Sequence, residues 1–181
     1  MPDNDDDALL AALTAIKARG AIGEASLRRA VEHAEQYVGV LPSSARTLLD
    51  LGSGGGLPGL VIAVRRPDLA VTLVERRHTR ADLLRRAVLS LGCADRVTVR
   101  SDDVKVVAAE APASFDVVTA RSFAAPSVTA RWASVLLRAG GLLVVSEPPQ
   151  DDPARWPAEV LAALRLVDGG RELGVRTFRR A

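Results

Sequence analysis

The chain changes its rhythm once. Before residue 45, apolar side chains recur every three or four positions (Leu9, Leu13, Ile16, then Leu27, Val31, Ala34, Val38), the spacing that turns one face of a helix toward a core. Two helices are expected, over residues 8–19 and 24–38, separated by Gly20 and Gly23. From Arg46 onward short apolar runs alternate with helical segments. Strands are expected over 47–51, 71–75, 97–101, 115–120 and 142–145. Helices are expected over 58–65, 79–91, briefly after Asp103, and over 126–138. Strands with helices between them predict a parallel sheet. Pro126 suits a first helical turn, and Gly140 and Gly141 are expected to stop the helix before them. A last helix over 153–164 precedes two extended runs, 165–173 and 175–179, which predict a terminal antiparallel hairpin. The Pro-rich stretch 147–157 reads as a loop. The expected fold is α/β, with a seven-stranded, mostly parallel sheet. Residues 1–45 form an acidic tail and two helices, and 46–181 form one globular unit.

Composition narrows the class. A chain of 181 residues, 48% of them hydrophobic, can bury roughly 70% of its unfolded surface without disulfide or metal staples. Its apolar runs fall far short of the roughly 20 residues that cross a bilayer. Asp3, Asp5, Asp6 and Asp7 have the wrong sign for the basic start of a secretory signal. A cytoplasmic protein without a membrane span is expected, its terminal charge run disordered. Cys93 is the one cysteine and reads as a buried small apolar residue. His33 and His78 lie far apart with no cysteine nearby, so no metal site is expected. Net charge is +2; residues 1–60 carry five basic and eight acidic side chains, and the rest carry 19 against 14. The later basic excess suits an acidic partner such as RNA, although arginine richness with only two lysines also fits a genome-composition bias.

The chemistry concentrates in Leu48-Leu49-Asp50-Leu51-Gly52-Ser53-Gly54-Gly55-Gly56-Leu57-Pro58-Gly59, an apolar strand running into a glycine-rich turn that opens a helix. Glycine there permits backbone angles barred to other residues and lets the main chain approach a ligand. The turn, with Gly52, Ser53, Gly54 and Gly56, is expected to cradle a nucleotide. Glu75 follows Gly52 by 23 positions, about where such folds place an acid that holds ribose hydroxyls, so an adenosyl ligand is expected. Asp50, two residues before Gly52, would face the amino group of a methionine moiety and would repel a pyrophosphate. The spacing therefore favours S-adenosylmethionine over NAD or FAD. No Gly-Lys-Ser/Thr follows, which excludes a Walker-type phosphate loop. Asp102 and Asp103 are placed to accept from an adenine amino group, one of them serving as a helix N-cap. Arg121 ends an apolar strand, where a buried cation needs a partner and where open α/β sheets bind ligands. Arg76, Arg77 and Arg80 read as a solvated helix start and His78 as a surface histidine. Trp132 and Trp156 are not expected to form a stacking platform.

Gly52 to Gly59, together with Phe115-Asp116-Val117-Val118-Thr119-Ala120-Arg121-Ser122-Phe123-Ala124 and Arg100-Ser101-Asp102-Asp103, resembles the bacterial small-subunit ribosomal RNA guanine-N7 methyltransferase family, also called glucose-inhibited division protein B. The likeness runs over residues 48–143. It implies a Rossmann-like class I S-adenosylmethionine-dependent methyltransferase with ribosomal RNA or the small ribosomal subunit as partner. In it Gly52 and Leu57 line the cofactor, Ser101 and Asp102 meet its adenine end, and Arg121 stands at the edge of the methyl-transfer pocket. Guanine N7 attacks with a free lone pair and a sulfonium is already a good leaving group, so no catalytic acid or base is expected. Positioning alone supplies several kcal/mol in such reactions, about 7 or more in favourable cases. Two departures stand out. The family's longer N-terminal region with an Asn-Leu-Thr segment has no counterpart in the roughly fifty residues here, and Glu147 stands where the family carries the lysine of a Leu-Lys-Gly stretch. An acid there is expected to repel an RNA backbone, and 3% aromatic residues offer little for stacking a splayed base. Three readings remain open at this point: a ribosomal RNA methyltransferase, a methyltransferase of a small molecule or other substrate, and a cofactor-binding module without catalysis.

Overall fold

A computed structural model describes residues 2–23, 26–150 and 152–181. Glu24 and Ala25, at the start of the expected second helix, and Asp151, in the expected loop, lie outside the described residues. The strands are β1 (Thr47–Leu51), β2 (Ala70–Val74), β3 (Val97–Arg100), β4 (Phe115–Ala120), β5 (Leu137–Ser146), β6 (Leu166–Glu172) and β7 (Val175–Arg180). The helices are α1 (Pro2–Lys17), α2 (Leu27–Val40), α3 (Gly59–Arg65), α4 (His78–Ser90), α5 (Val104–Glu110), α6 (Pro126–Leu136) and α7 (Ala158–Ala163), with a 3-10 turn at Pro153–Arg155. The strands form one sheet in the order β3-β2-β1-β4-β5-β7-β6, and only β7 runs antiparallel to its neighbours. The expected α/β fold, a seven-stranded, mostly parallel sheet ending in an antiparallel hairpin, is the one observed.

Successive strand residues point to opposite faces, and β1 shows how both faces fill. Leu48 packs in a layer with Leu13 and Ile16 of α1, Tyr37 of α2, Leu60 of α3 and Leu84 of α4. Leu49 and Leu51 pack in the other layer with Val107 of α5, Ala133 of α6 and Leu161 of α7. A central parallel strand covered on both faces reads as a mostly apolar run, as β1 and β4 do apart from the buried Asp50 and Asp116. The two N-terminal helices thus share the core layer of the sheet.

Two expectations are corrected. The acidic run is helical, with α1 beginning at Pro2 rather than at residue 8. Acidic side chains suit the positive end of a helix, and Asp6 also reaches the Arg65 guanidinium at 2.6 Å, which Glu35 holds at 2.7 Å from the other side. Gly140 and Gly141 do not end α6, which stops at Leu136 and leads straight into β5. The β4–β5 register jumps from Phe115 opposite Leu137 to Val117 opposite Leu142, and Gly140, at φ 76°, takes up the extra residues.

Candidate functional site

The sheet opens at the carboxyl ends of β1, β2 and β4 into a cavity of about 530 Å³. Open α/β sheets bind ligands at this place, where the crossovers on either side of β1 diverge. The glycine turn makes one wall. Gly52 holds φ 65°, and a Cβ there would fall 2.7 Å from the Phe123 ring. The Ser53 amide donates to the Val74 carbonyl (2.9 Å) and its hydroxyl to the Asp50 carbonyl (3.0 Å), which ties the turn to β2 and β1. Gly59 completes the packing, because a Cβ there would run into the Leu73 side chain and come within 2.7 Å of the Asp50 carboxylate.

Glu75, just past β2, is 6% exposed and lies on the wall. Its Oε2 accepts from the Gly54 amide (3.1 Å) and its Oε1 from the Arg77 amide (2.8 Å). Each carboxylate oxygen keeps a further lone pair for a hydroxyl donor. Asp102 and Asp103 follow β3. Asp102 accepts from Arg100 Nε at 2.7 Å, and Asp103 is the N-cap of α5, accepting from the Lys105 amide at 3.0 Å. Both line the cavity.

Asp50 is buried beneath the turn and is not on the wall. Its Oδ1 accepts from the Thr119 hydroxyl at 2.7 Å, and its Oδ2 has no hydrogen-bond partner among the described residues. Burial raises its pKa to about 6, against the opposing pull of the Thr119 and Ser53 hydroxyls and the Arg121 charge.

Of the residues expected from the sequence, the wall brings together Gly52, Gly54, Glu75 and Asp102. It leaves out the buried Ser53 and Leu57. Gly56 packs toward Leu60 and Leu84. Ser101 bonds His78 Nδ1 at 2.7 Å beside the cavity. Arg121 points its charge toward α2, within electrostatic reach of His33, Tyr37 and Asp50, although its neighbours Ser122 and Phe123 are on the wall.

The sequence reading missed Phe123, Trp132 and three arginines. Arg76, Arg77 and Arg80 stand at the cavity, and among the described residues none of them makes an ion pair. Their position directly after Glu75 was the available signal. Trp132 reaches the wall from α6, so the cavity has an aromatic face after all. Trp156 follows the 3-10 turn and is buried against Phe178, their ring centroids 4.6 Å apart. Glu147 is corrected too. Its carboxylate is fully buried, accepting from Trp156 Nε1 at 2.8 Å and Arg155 Nε at 3.3 Å, with Arg176 Nε 4.0 Å away. An acid neutralised inside the fold presents no repelling charge to an RNA backbone.

The size of the cavity falls within the roughly 300–1,000 Å³ of small-molecule sites. Acceptors at Glu75 and Asp102, an open main chain at Gly54 and apolar surface at Phe123 and Trp132 fit an adenosyl group. Among the described residues no three histidine, cysteine, aspartate or glutamate side chains gather as metal ligands, and no helix is long and apolar enough to cross a membrane.

Comparison with known proteins agrees with this geometry. The family described as rRNA small subunit methyltransferase G matches residues 12–151. Proteins named ribosomal RNA small subunit methyltransferase G are similar to the chain. The one from Neisseria gonorrhoeae is 37% identical over 134 residues, covering 72% of this chain and 63% of its own length. The one from Salinispora tropica is 47% identical over 129 residues, covering 69% and 52%. The chain therefore spans between about half and two thirds of those relatives. Among solved structures, an O-methyltransferase from Klebsiella pneumoniae superposes with TM-score 0.67 at 19% identity, covering 96% of this chain and 90% of that one. Geranyl diphosphate C-methyltransferase from Streptomyces coelicolor, solved with S-adenosyl-L-homocysteine, gives TM-score 0.65 at 16% identity, covering 83% and 76%. At such identities the likeness is one of fold.

Proposed function

Because the chain belongs to the rRNA small subunit methyltransferase G family, we propose that it is an S-adenosylmethionine-dependent enzyme that methylates guanine N7 of small-subunit ribosomal RNA, in the cytoplasm where that subunit is assembled. The observation that carries this reading is the make-up of one cavity: nucleoside acceptors on its wall and three arginines that make no ion pair among the described residues. Glu75 takes the ribose hydroxyls, Asp102 the adenine amino group, and the main chain at Gly52 and Gly54 admits the ligand closely. When bound, S-adenosylmethionine supplies an electrophilic methyl on a sulfonium that leaves as a neutral thioether. Phe123 and Trp132 keep water from the wall. Arg76, Arg77 and Arg80 fasten phosphates, since a solvated guanidinium free of an acid partner is open to an RNA backbone. No side chain gives or takes a proton, because N7 attacks with a lone pair it already holds. Asp50 acts as a brace between β1 and β4 through Thr119, not as a contact of the ligand.

Calorimetric titration with S-adenosylhomocysteine should show micromolar binding that weakens at least about tenfold in Glu75→Ala, the loss of two hydrogen bonds to a charged group. Transfer of labelled methyl to small subunits from a strain lacking this protein should follow. Binding without transfer to any RNA would overturn the enzymatic reading in favour of a cofactor-binding module.

A further inference from the structure

Tyr37 is the only tyrosine in the chain, and it is fully buried. From α2 its hydroxyl donates to the carbonyl of Ala120 at 3.0 Å, the last residue of β4. The residues that follow separate a pair of cavities. Ser122 lines both the large cavity and a smaller one of about 60 Å³ behind it, at the ends of β4 and β5. Ser122 holds φ 52°, in the left-handed region that costs a serine energy. Phe123 then lies against Gly52, and Arg121, between them, has its charge within reach of Tyr37. The helix has a second hold, on the turn between β6 and β7. Gln36 Oε1 accepts from the Gly174 amide at 3.2 Å, and the Gly174 carbonyl accepts from the Glu147 amide just after β5. Backbone strain of this kind persists only where the surroundings over-determine it, and it clusters where placement matters. The Tyr37 hydroxyl holds the carbonyl two residues before the strained Ser122.

We propose that Tyr37 is a positioning residue for methyl transfer, its hydrogen bond to Ala120 setting how the chain leaves β4 and so placing Arg121, Ser122 and Phe123 between cofactor and acceptor. The proposal rests on the methyltransferase reading above. Its test is steady-state methyl transfer to small subunits by the wild type, Tyr37→Phe, Arg121→Ala, the double variant and Gln36→Ala. In Tyr37→Phe kcat should fall about tenfold, while KM for the subunit and the Kd for S-adenosylhomocysteine stay within about twofold. Gln36→Ala, which cuts the other hold of the same helix, should lower the unfolding temperature comparably yet leave kcat within about twofold. The double variant should be no slower than Arg121→Ala alone. A Tyr37→Phe enzyme with wild-type kcat, or multiplicative losses in the double variant, overturns the proposal and leaves the methyltransferase reading standing. A wild type that methylates no subunit overturns both. Should Tyr37→Phe fail to fold, uniform incorporation of 3-fluorotyrosine labels Tyr37 alone. Its fluorine resonance should move in Arg121→Ala, and an unmoved resonance overturns the proposal.

Discussion

Asp50 and Asp116 occupy neighbouring strands at opposite ends of the sheet, and neither is exposed to solvent, Asp50 lying the deeper of the two. Asp116, near the start of β4, has hydrogen bonds on one oxygen and an ion pair on the other. Its Oδ2 accepts from the amides of Arg46 (2.7 Å) and Thr47 (2.9 Å), its Oδ1 pairs with Arg138 at 2.5 Å, and its own amide donates to the Thr47 hydroxyl. Burial alone would raise its pKa, but those amides and the Arg138 charge bring it below the ordinary value. Asp50, near the end of β1, has one hydroxyl on Oδ1, while its Oδ2 has no hydrogen-bond partner among the described residues, and its pKa moves up. The same side chain ends with opposite shifts because Asp50 lies deeper and takes a single hydroxyl, whereas Asp116, nearer the surface, takes two amides and a cation. The amino edge of this sheet is built to hold. The carboxyl edge, where the cavity opens, carries an unsatisfied group under its glycine turn, and local rules are commonly relaxed at functional edges.

The sharpest way to break this contrast is Asp116→Ala. It leaves two partly buried backbone amides without an acceptor, and it should cost about 3 kcal/mol in urea unfolding. A loss under about 1 kcal/mol would mean that water serves those amides as well. The second test sets the two acids apart by pH. A carboxyl with a raised folded pKa binds its proton more tightly when folded. Asp50 therefore adds stability as pH falls from 8 through about 6 toward its ordinary 3.8, by about 2–3 kcal/mol in full. Asp116 has the opposite sign, its contribution being present above the ordinary carboxyl value and lost only as pH drops below it. Asp50→Asn should thus be more stable than wild type at pH 8 and near wild type at pH 4.5, measured as the difference in unfolding free energy. A difference independent of pH would place the Asp50 pKa at its ordinary value.

How much of this could be read from the chain follows from how local each cause is. β1 and β4 match their expected bounds because a short, mostly apolar run fixes a strand covered on both faces. Gly52 and Glu75 reach one wall, as expected from a turn and a strand end separated by one crossover helix. Asp50 sits two residues from Gly52, yet spacing could not say that the turn would close over it; the near contact of Gly59 decides that. Phe123 and Trp132 come to the wall through a loop and the seventh residue of α6, whose orientation depends on how α6 packs, and no periodicity encodes that. Glu147 looked like an exposed acid because two of its partners, Trp156 and Arg155, lie at the far end of the proline-rich loop, and a third, Arg176, is on β7.

The smallest expected effect on stability belongs to the rim, and it discriminates function best. Arg65, Arg66, Arg100 and Arg138 are held by acids and serve the fold. Arg76, Arg77 and Arg80 make no ion pair among the described residues, so replacing all three by alanine should change the unfolding free energy by less than about 0.5 kcal/mol. The same variant should bind small-subunit RNA more weakly at every sequence. The slope of log affinity against log salt should fall by about 2, since each phosphate contact on a single strand contributes about 0.7. Because phosphate contacts hold without reading bases, its preference among RNAs should survive. A slope unchanged by removing three cations would move the RNA surface away from this mouth, and would leave the cavity as the site of a cofactor whose acceptor approaches from the other side, past Arg121.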